Sequence, residues 1–179
     1  MPNWTSNRLR AEGSPQQVSE FLEKIKGENG ILDFNSIIPM PELLKHTASG
    51  ATTIDGQKLR EWYVVEAADR KNKIPAIERL FTADEEAELA RIGHRSWYSW
   101  CNVNWGTKWN ACEAKIEMGE SRIGFVYITY RTAWNAPKPI FKKLVEMFPL
   151  LNFAFEWRNE DDPEYPHRID AEAKTGGDA

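Results

Sequence analysis

The 179-residue chain predicts an α+β fold, the ferredoxin-like split βαβ sandwich. That fold is an antiparallel four-stranded sheet with two helices on one face. Here it carries a long, mostly helical insertion between the first helix and the hairpin. Three observations predict it. Two stretches, SPQQVSEFLEKIKG and APKPIFKKLVEMFP, place apolar residues at helical spacing. Two runs in the last third, CEAKIEM and LNFAFEW, alternate apolar and polar residues as half-buried strands do. Setting aside about residues 28–110 leaves strand, helix, hairpin, helix, strand, the split βαβ order.

The first strand is read over residues 3–11, with Trp4 and Leu9 as its large apolar side chains. Ser14 then stands as N-cap, Pro15 at the first helical position and Gln17 at the capping-box spacing. Val18, Phe21, Leu22 and Ile25 form one stripe, and Gly27 stands where a left-handed cap is wanted. ILDFNSIIPMPELL reads as a short strand stopped at Pro39 and Pro41. Residues 48–57 read as a polar loop, with short helices at 57–69, 75–81 and 83–92. The last has Thr82 and Glu85 as a second capping box and acidic residues in its first turn. A turn at GES links CEAKIEM to IGFVYITY, which is apolar on both faces and so reads as a central strand. The second helix carries Ile140, Phe141, Leu144, Val145 and Phe148 inward, and LNFAFEW is the last strand. The domain is expected to span 1–158, with 159–179 an acidic, flexible tail.

A hydrophobic fraction of 41% and an aromatic fraction of 12% supply a core and exclude whole-chain disorder. The net charge of −4 and pI near 5.5 argue against a dedicated duplex-DNA binder. The start MPNWTSNRLR lacks a signal peptide's apolar run, and no stretch approaches the roughly 18 apolar residues of a membrane span. A soluble, cytoplasmic protein that does not act at a membrane is expected. In that setting Cys101 and Cys112 stay reduced and act as small hydrophobes.

Half of the eight tryptophans fall in SWYSWCNVNWGTKWN, residues 96–110. Gly106 permits a tight turn between Trp105 and Trp109, and nearby Asn and Thr side chains offer acceptors for indole N–H groups. The expected role is a lid over the sheet's open face, formed by residues 97–109. The alternative is an aromatic platform using Trp97, Trp100, Trp105 and Trp109, with Lys108 as a cation–π partner.

IGFVYITY partly matches the first ribonucleoprotein motif of RNA-recognition domains, which share this topology. Gly124, Phe125, Tyr127, Ile128 and Tyr130 fit, whereas Ile123 and Val126 depart from it. The register places Phe125 and Tyr127 on the open face, where such domains stack bases.

His94, Cys101 and Cys112 lack the paired spacing of a metal site, and no Gly-rich phosphate loop follows a strand. No catalytic residue, cofactor or metal is expected, and the chain reads as a non-enzyme.

The start MPNW, DFNSIIPMPE at 33–42, NWGTKWNA at 104–111, and TAWNAPKPIF at 132–141 followed by FP resemble the YubB-like family. These are bacteriophage and conjugative-plasmid proteins with a ferredoxin-like domain. The likeness runs over about residues 1–157 and departs from the family after Trp157. It implies the ferredoxin-like fold and a mobile-element origin. The family has no established catalytic residues to carry over.

Two functions follow as expectations. The first is a non-catalytic module binding a host or element-encoded protein, including a role against host defence. The second is RNA or single-stranded DNA binding through Phe125 and Tyr127.

Overall fold

A computed structural model describes residues 3–49, 52–54, 56–59, 62–66, 76–120, 123–162 and 167–174. In chain order the elements are β1 (Trp4–Glu12), α1 (Pro15–Ile25), α2 (Phe34–Ile37), α3 (Glu42–Lys45), β2 (Thr47–Ser49), β3 (Thr52–Ile54), β4 (Gln57–Leu59) and β5 (Trp62–Glu66). There follow β6 (Ile77–Arg79), α4 (Ala83–Ile92), α5 (Trp97–Asn104), β7 (Cys112–Glu120), β8 (Phe125–Ala133), α6 (Lys138–Met147), β9 (Asn152–Asn159) and β10 (His167–Ala171). They form two compact units, Met1–Pro39 with Cys101–Ala179, and Met40–Trp100.

The first unit is built on an antiparallel sheet of order β10-β9-β1-β8-β7. Strands β9-β1-β8-β7 have the order that the split βαβ pattern requires. The four-stranded expectation is corrected to five strands, because β10 pairs with β9. An unpaired strand edge is a template for further pairing. The presumed tail supplies the partner, and Trp157 stacks on His167 with centroids 5.2 Å apart. The parts of the expected tail at 163–166 and 175–179 lie outside the described residues.

Alternation sorts the side chains. In β1, Thr5, Asn7, Leu9 and Ala11 are buried while Trp4, Ser6, Arg8, Arg10 and Glu12 are not. In β8 the buried set is Val126, Ile128, Tyr130 and Thr132, with Ala133 at its end. Both helices pack on this buried face. Phe21 of α1 meets Phe153 edge-on at 5.7 Å, and Phe141 of α6 stacks on Phe155 at 5.2 Å. The capping box of Ser14 and Gln17 starts α1 as the spacing predicts. Its end differs. Lys26 is the cap, in an extended conformation, and Gly27 is not left-handed. A side chain at Gly27 would collide with the Asp33 carboxylate, so close approach explains this glycine.

The strand expected at 31–38 is instead the short helix α2. Asp33 caps it, accepting from the Asn35 backbone N–H at 2.9 Å. Phe34 and Ile37 thereby enter the core of the first unit.

The second unit is richer in strands than expected. Strands β2-β5-β6 form one antiparallel sheet, and β3 and β4 a hairpin. The helix expected at 57–69 is replaced by β4 and β5, because Tyr63, Val64 and Val65 suit a pleated, half-buried surface. The one expected at 75–81 is replaced by β6. Residues 60–61, 67–69 and 75 of those two segments lie outside the described residues, as do 50–51 and 55 of the expected loop and 121 of the expected turn. The helix at 83–92 forms with its capping box from Thr82 to Glu85, and Gly93 ends it at φ 77°. The insertion therefore divides. Residues 28–39 belong to the sheet unit, and only Met40–Trp100 forms a unit of its own.

Candidate functional site

The tryptophan segment is the first test of where a site lies. Trp105 is 3% exposed, and its indole N–H donates to the Ile38 carbonyl at 2.9 Å. Its ring meets Phe34 edge-on at 5.8 Å, and Phe34 meets Tyr130 at 6.2 Å on the helix-bearing side of the sheet. Around it, Thr107 Oγ1 donates to the Ala133 carbonyl at 2.8 Å. Asn110 Nδ2 donates to Asp33 Oδ1 at 2.7 Å, and Asn29 Nδ2 to the Ala111 carbonyl at 2.7 Å. Gly106 makes the predicted turn at φ 78°. This end of the segment is a structural knot on the helix side.

The expected lid over the opposite face is therefore corrected at Trp105. Trp105 packs beneath the sheet, and Trp109 is 36% exposed with its ring 6.3 Å from Trp4. Lys108 Nζ lies 4.6 Å from the Trp109 centroid and 4.9 Å from that of Trp134. Trp97 meets Tyr98 edge-on at 5.9 Å and donates its backbone N–H to Thr47 Oγ1 at 3.1 Å. Trp100 is buried. Trp97 and Trp100 fall in the second unit, Trp105 and Trp109 in the first.

The face opposite the helices is different in character. Phe125 and Tyr127 lie on it, as the register predicts, with ring centroids 6.0 Å apart and edge-on. Above it lies a cavity of about 520 Å³ whose lining comes from β1, β7, β8 and β9. Arg8, Arg131 and Arg158 line it, with Glu113, Glu117 and Glu156. The Arg8 guanidinium sits 4.1 Å from the Tyr127 centroid, that of Arg10 5.8 Å, and Arg131 lies 4.9 Å over Trp4.

Three of these arginines, and Arg168 of β10 on the same face, each have a carboxylate neighbour. Arg8 Nε is 3.2 Å from Glu117 Oε2, near enough for an ion pair but without hydrogen-bond alignment. Arg131 pairs with Glu113, Arg10 with Glu12, and Arg168 with Glu156 at 2.9 Å and Asp170 at 2.7 Å. The Arg168 hydrogen bond holds the Asp170 carboxyl below its ordinary range. Exposed pairs of this kind contribute roughly 0–1 kcal/mol, so a ligand can exchange with them. Charge on the face is nearly balanced, in contrast to the acidic chain as a whole.

Other chemistry is sparse. Burial pushes the Cys101 thiol up to about 12, and burial is also the main cause raising that of Cys112. His94 Nδ1 contacts Ser99 Oγ at 3.2 Å. Among the described residues no group of three or more His, Cys, Asp and Glu is arranged to hold a metal. No helix among them is long and apolar enough to cross a membrane.

Sequence reasoning missed the arginines. Arg8 and Arg10 flank Leu9, so alternation in β1 alone aims them away from the core. Arg168 carried no such signal, because its strand was read as tail.

Fold and face together define a ferredoxin-like α+β domain whose sheet face opposite α1 and α6 bears aromatic and arginine side chains. Residues 100–164 match a family model described as the ferredoxin-like domain in Api92-like protein. The match covers the hairpin, α6 and β9, the second half of the sandwich. No curated protein and no solved structure matches this chain.

Proposed function

We propose that this protein is a non-enzymatic binding module that takes single-stranded nucleic acid, RNA or single-stranded DNA, on the open sheet face. One observation carries the reading: the Phe125–Tyr127 pair lies on an inner strand of the sheet, on the face opposite α1 and α6, with Arg8 stacked 4.1 Å from Tyr127. Bases stack on aromatic rings irrespective of sequence, and arginine adds cation–π and phosphate contacts. The nearly balanced face charge limits the number of phosphates neutralised, so moderate affinity and a shallow salt dependence are expected.

Titration of labelled RNA and single-stranded DNA at low and moderate salt tests this. Phe125→Ala and Tyr127→Ala should each weaken binding by about 1–3 kcal/mol. Unchanged affinity in both variants, or no binding by the wild type, ends the reading.

A second reading keeps the protein partner. Trp109 and Trp134, 36% and 39% exposed beside Trp4 and Lys108, favour it, since aromatic residues are enriched at interfaces. The YubB-like resemblance adds a bacteriophage or plasmid origin and a cytoplasmic role against host defence. Pull-down with wild type and Trp109→Ala decides it: a stoichiometric partner lost in the variant supports the reading, and a partner retained equally by both removes this patch from it.

A further inference from the structure

A second, smaller cavity of about 210 Å³ opens on the same face between β1, β9 and β10. Its origin is a single short side chain. Ala154 of β9 stands between Arg10 of β1 and Asp170 of β10, where a longer residue would fill the space. Around this methyl group stand Arg8, Arg10, Tyr127, Glu156 and Arg168. One row further along the sheet, Arg8, Glu156 and Arg168 are direct cross-strand neighbours on β1, β9 and β10.

The donors here are unequally satisfied. Arg168 is held by Glu156 and Asp170. By contrast, the Nε atoms of Arg8 and Arg10 are shielded from solvent and make no hydrogen bond among the described residues. Arg8 Nε has Glu117 Oε2 at 3.2 Å but out of hydrogen-bond alignment, and an anion aligned with the Nε–H groups of Arg8 and Arg10 completes their bonding. Guanidinium forks match phosphate oxygens in shape and charge. Three guanidinium groups and one carboxylate, Glu156, line the cavity, while Glu117, Glu12 and Asp170 pair with Arg8, Arg10 and Arg168 from outside that lining; such partly exposed pairs are weak enough for an anion to compete with them.

We propose that this cavity binds a phosphate group, with Arg8, Arg10 and Arg168 as its donors and Ala154 as its floor. Within the single-strand reading it holds a backbone phosphate next to the base stacked on Tyr127. That assignment of the phosphate's source rests on the reading above, whereas anion binding itself does not. The fifth strand thereby acquires a role: it carries Arg168 to the face.

The test follows the arginine Nε–Hε resonances of the full chain during titration with inorganic phosphate and pyrophosphate at constant ionic strength. Saturable shifts of the Arg8, Arg10 and Arg168 signals are expected. Arg168→Gln should bind pyrophosphate about tenfold more weakly. Ala154→Leu, which fills the floor and keeps every charge, should abolish the shifts while far-ultraviolet dichroism stays native. Absent shifts in the wild type, or wild-type binding by both Arg168→Gln and Ala154→Leu, overturn the proposal. Labelled RNA on the same proteins separates the two ideas. Phosphate binding without RNA binding retains the cavity and removes the nucleic-acid reading. RNA binding that is indifferent to Arg168→Gln, with no phosphate shifts, does the reverse.

Discussion

Arg8 and Tyr127 are diagonal neighbours on adjacent strands, with the guanidinium 4.1 Å from the ring centroid. Arg10, not Arg8, is the residue directly opposite Tyr127, and its guanidinium lies further off at 5.8 Å. The ring is thus flanked by two cations. A partly exposed cation–π contact contributes roughly 0.5–1 kcal/mol, weak enough for a stacked base to take its place.

Replacing Arg8 by Ala should therefore lower affinity for single-stranded RNA and flatten its salt dependence. The slope of log K against log salt is expected to change by about 0.7, one phosphate's share for a single strand. Fluorescence anisotropy at several salt concentrations measures it. A slope identical to wild type would place Arg8 away from the phosphates.

Two tryptophans of one segment should behave oppositely. Trp105→Ala removes a buried ring packed on Phe34 and a bond to the Ile38 carbonyl, and is expected to cost about 3–5 kcal/mol. Trp109→Ala, at an exposed position, should cost under about 1 kcal/mol. Urea unfolding of the two variants makes the comparison.

Gly124 is fixed by geometry on two counts. Its φ is 76°, and an added Cβ would lie 2.5 Å from the backbone oxygen of Gly13. Gly13 N–H also donates to the Gly124 carbonyl at 2.9 Å, so neither partner moves freely. Gly124→Ala should destabilise by at least about 1–3 kcal/mol, read from the denaturation midpoint.

Glu85 should make α4 acid-sensitive. The Arg79 hydrogen bond and then the Thr82 backbone N–H hold its carboxyl near 2, below the ordinary 4.5. A depressed folded pKa means that the stabilisation is present above about pH 4.5 and is lost as pH falls towards 2. Amide exchange of α4 across that window should accelerate in wild type, and Glu85→Gln should remove most of the dependence.

Both cysteines should be poor nucleophiles in the folded protein. With Cys101 near 12 and Cys112 also raised, iodoacetamide at pH 8 should label neither appreciably until urea is added. Intact mass before and after denaturation reports it.

Much of the sheet unit was legible because its signals are local. Ser14 with Gln17, the alternation of LNFAFEW, and the stripe of Ile140, Phe141 and Leu144 each act within one element, whereas CEAKIEM forms its strand with register irregularities and leaves Ile116 45% exposed. The face assignment of Phe125 and Tyr127 followed from the period of two. The middle of the chain was harder to read. Trp62 to Glu66 pairs with 47–49 and 77–79, and Gln57 to Leu59 with 52–54, and such short runs suit helix or strand until their partners are known.

The amino-acid sequence by itself determined the split βαβ order, the caps that start α1 and α4, and which β8 side chains turn away from the helices. Only the tertiary structure decided that Trp105 lies beneath the sheet, that His167 to Ala171 adds a fifth strand, and that Arg8, Arg10 and Arg168 surround Ala154. The reason is physical. Periodicity and capping are encoded within a few residues, whereas a face assembled from strands far apart in the chain exists only once their register is set.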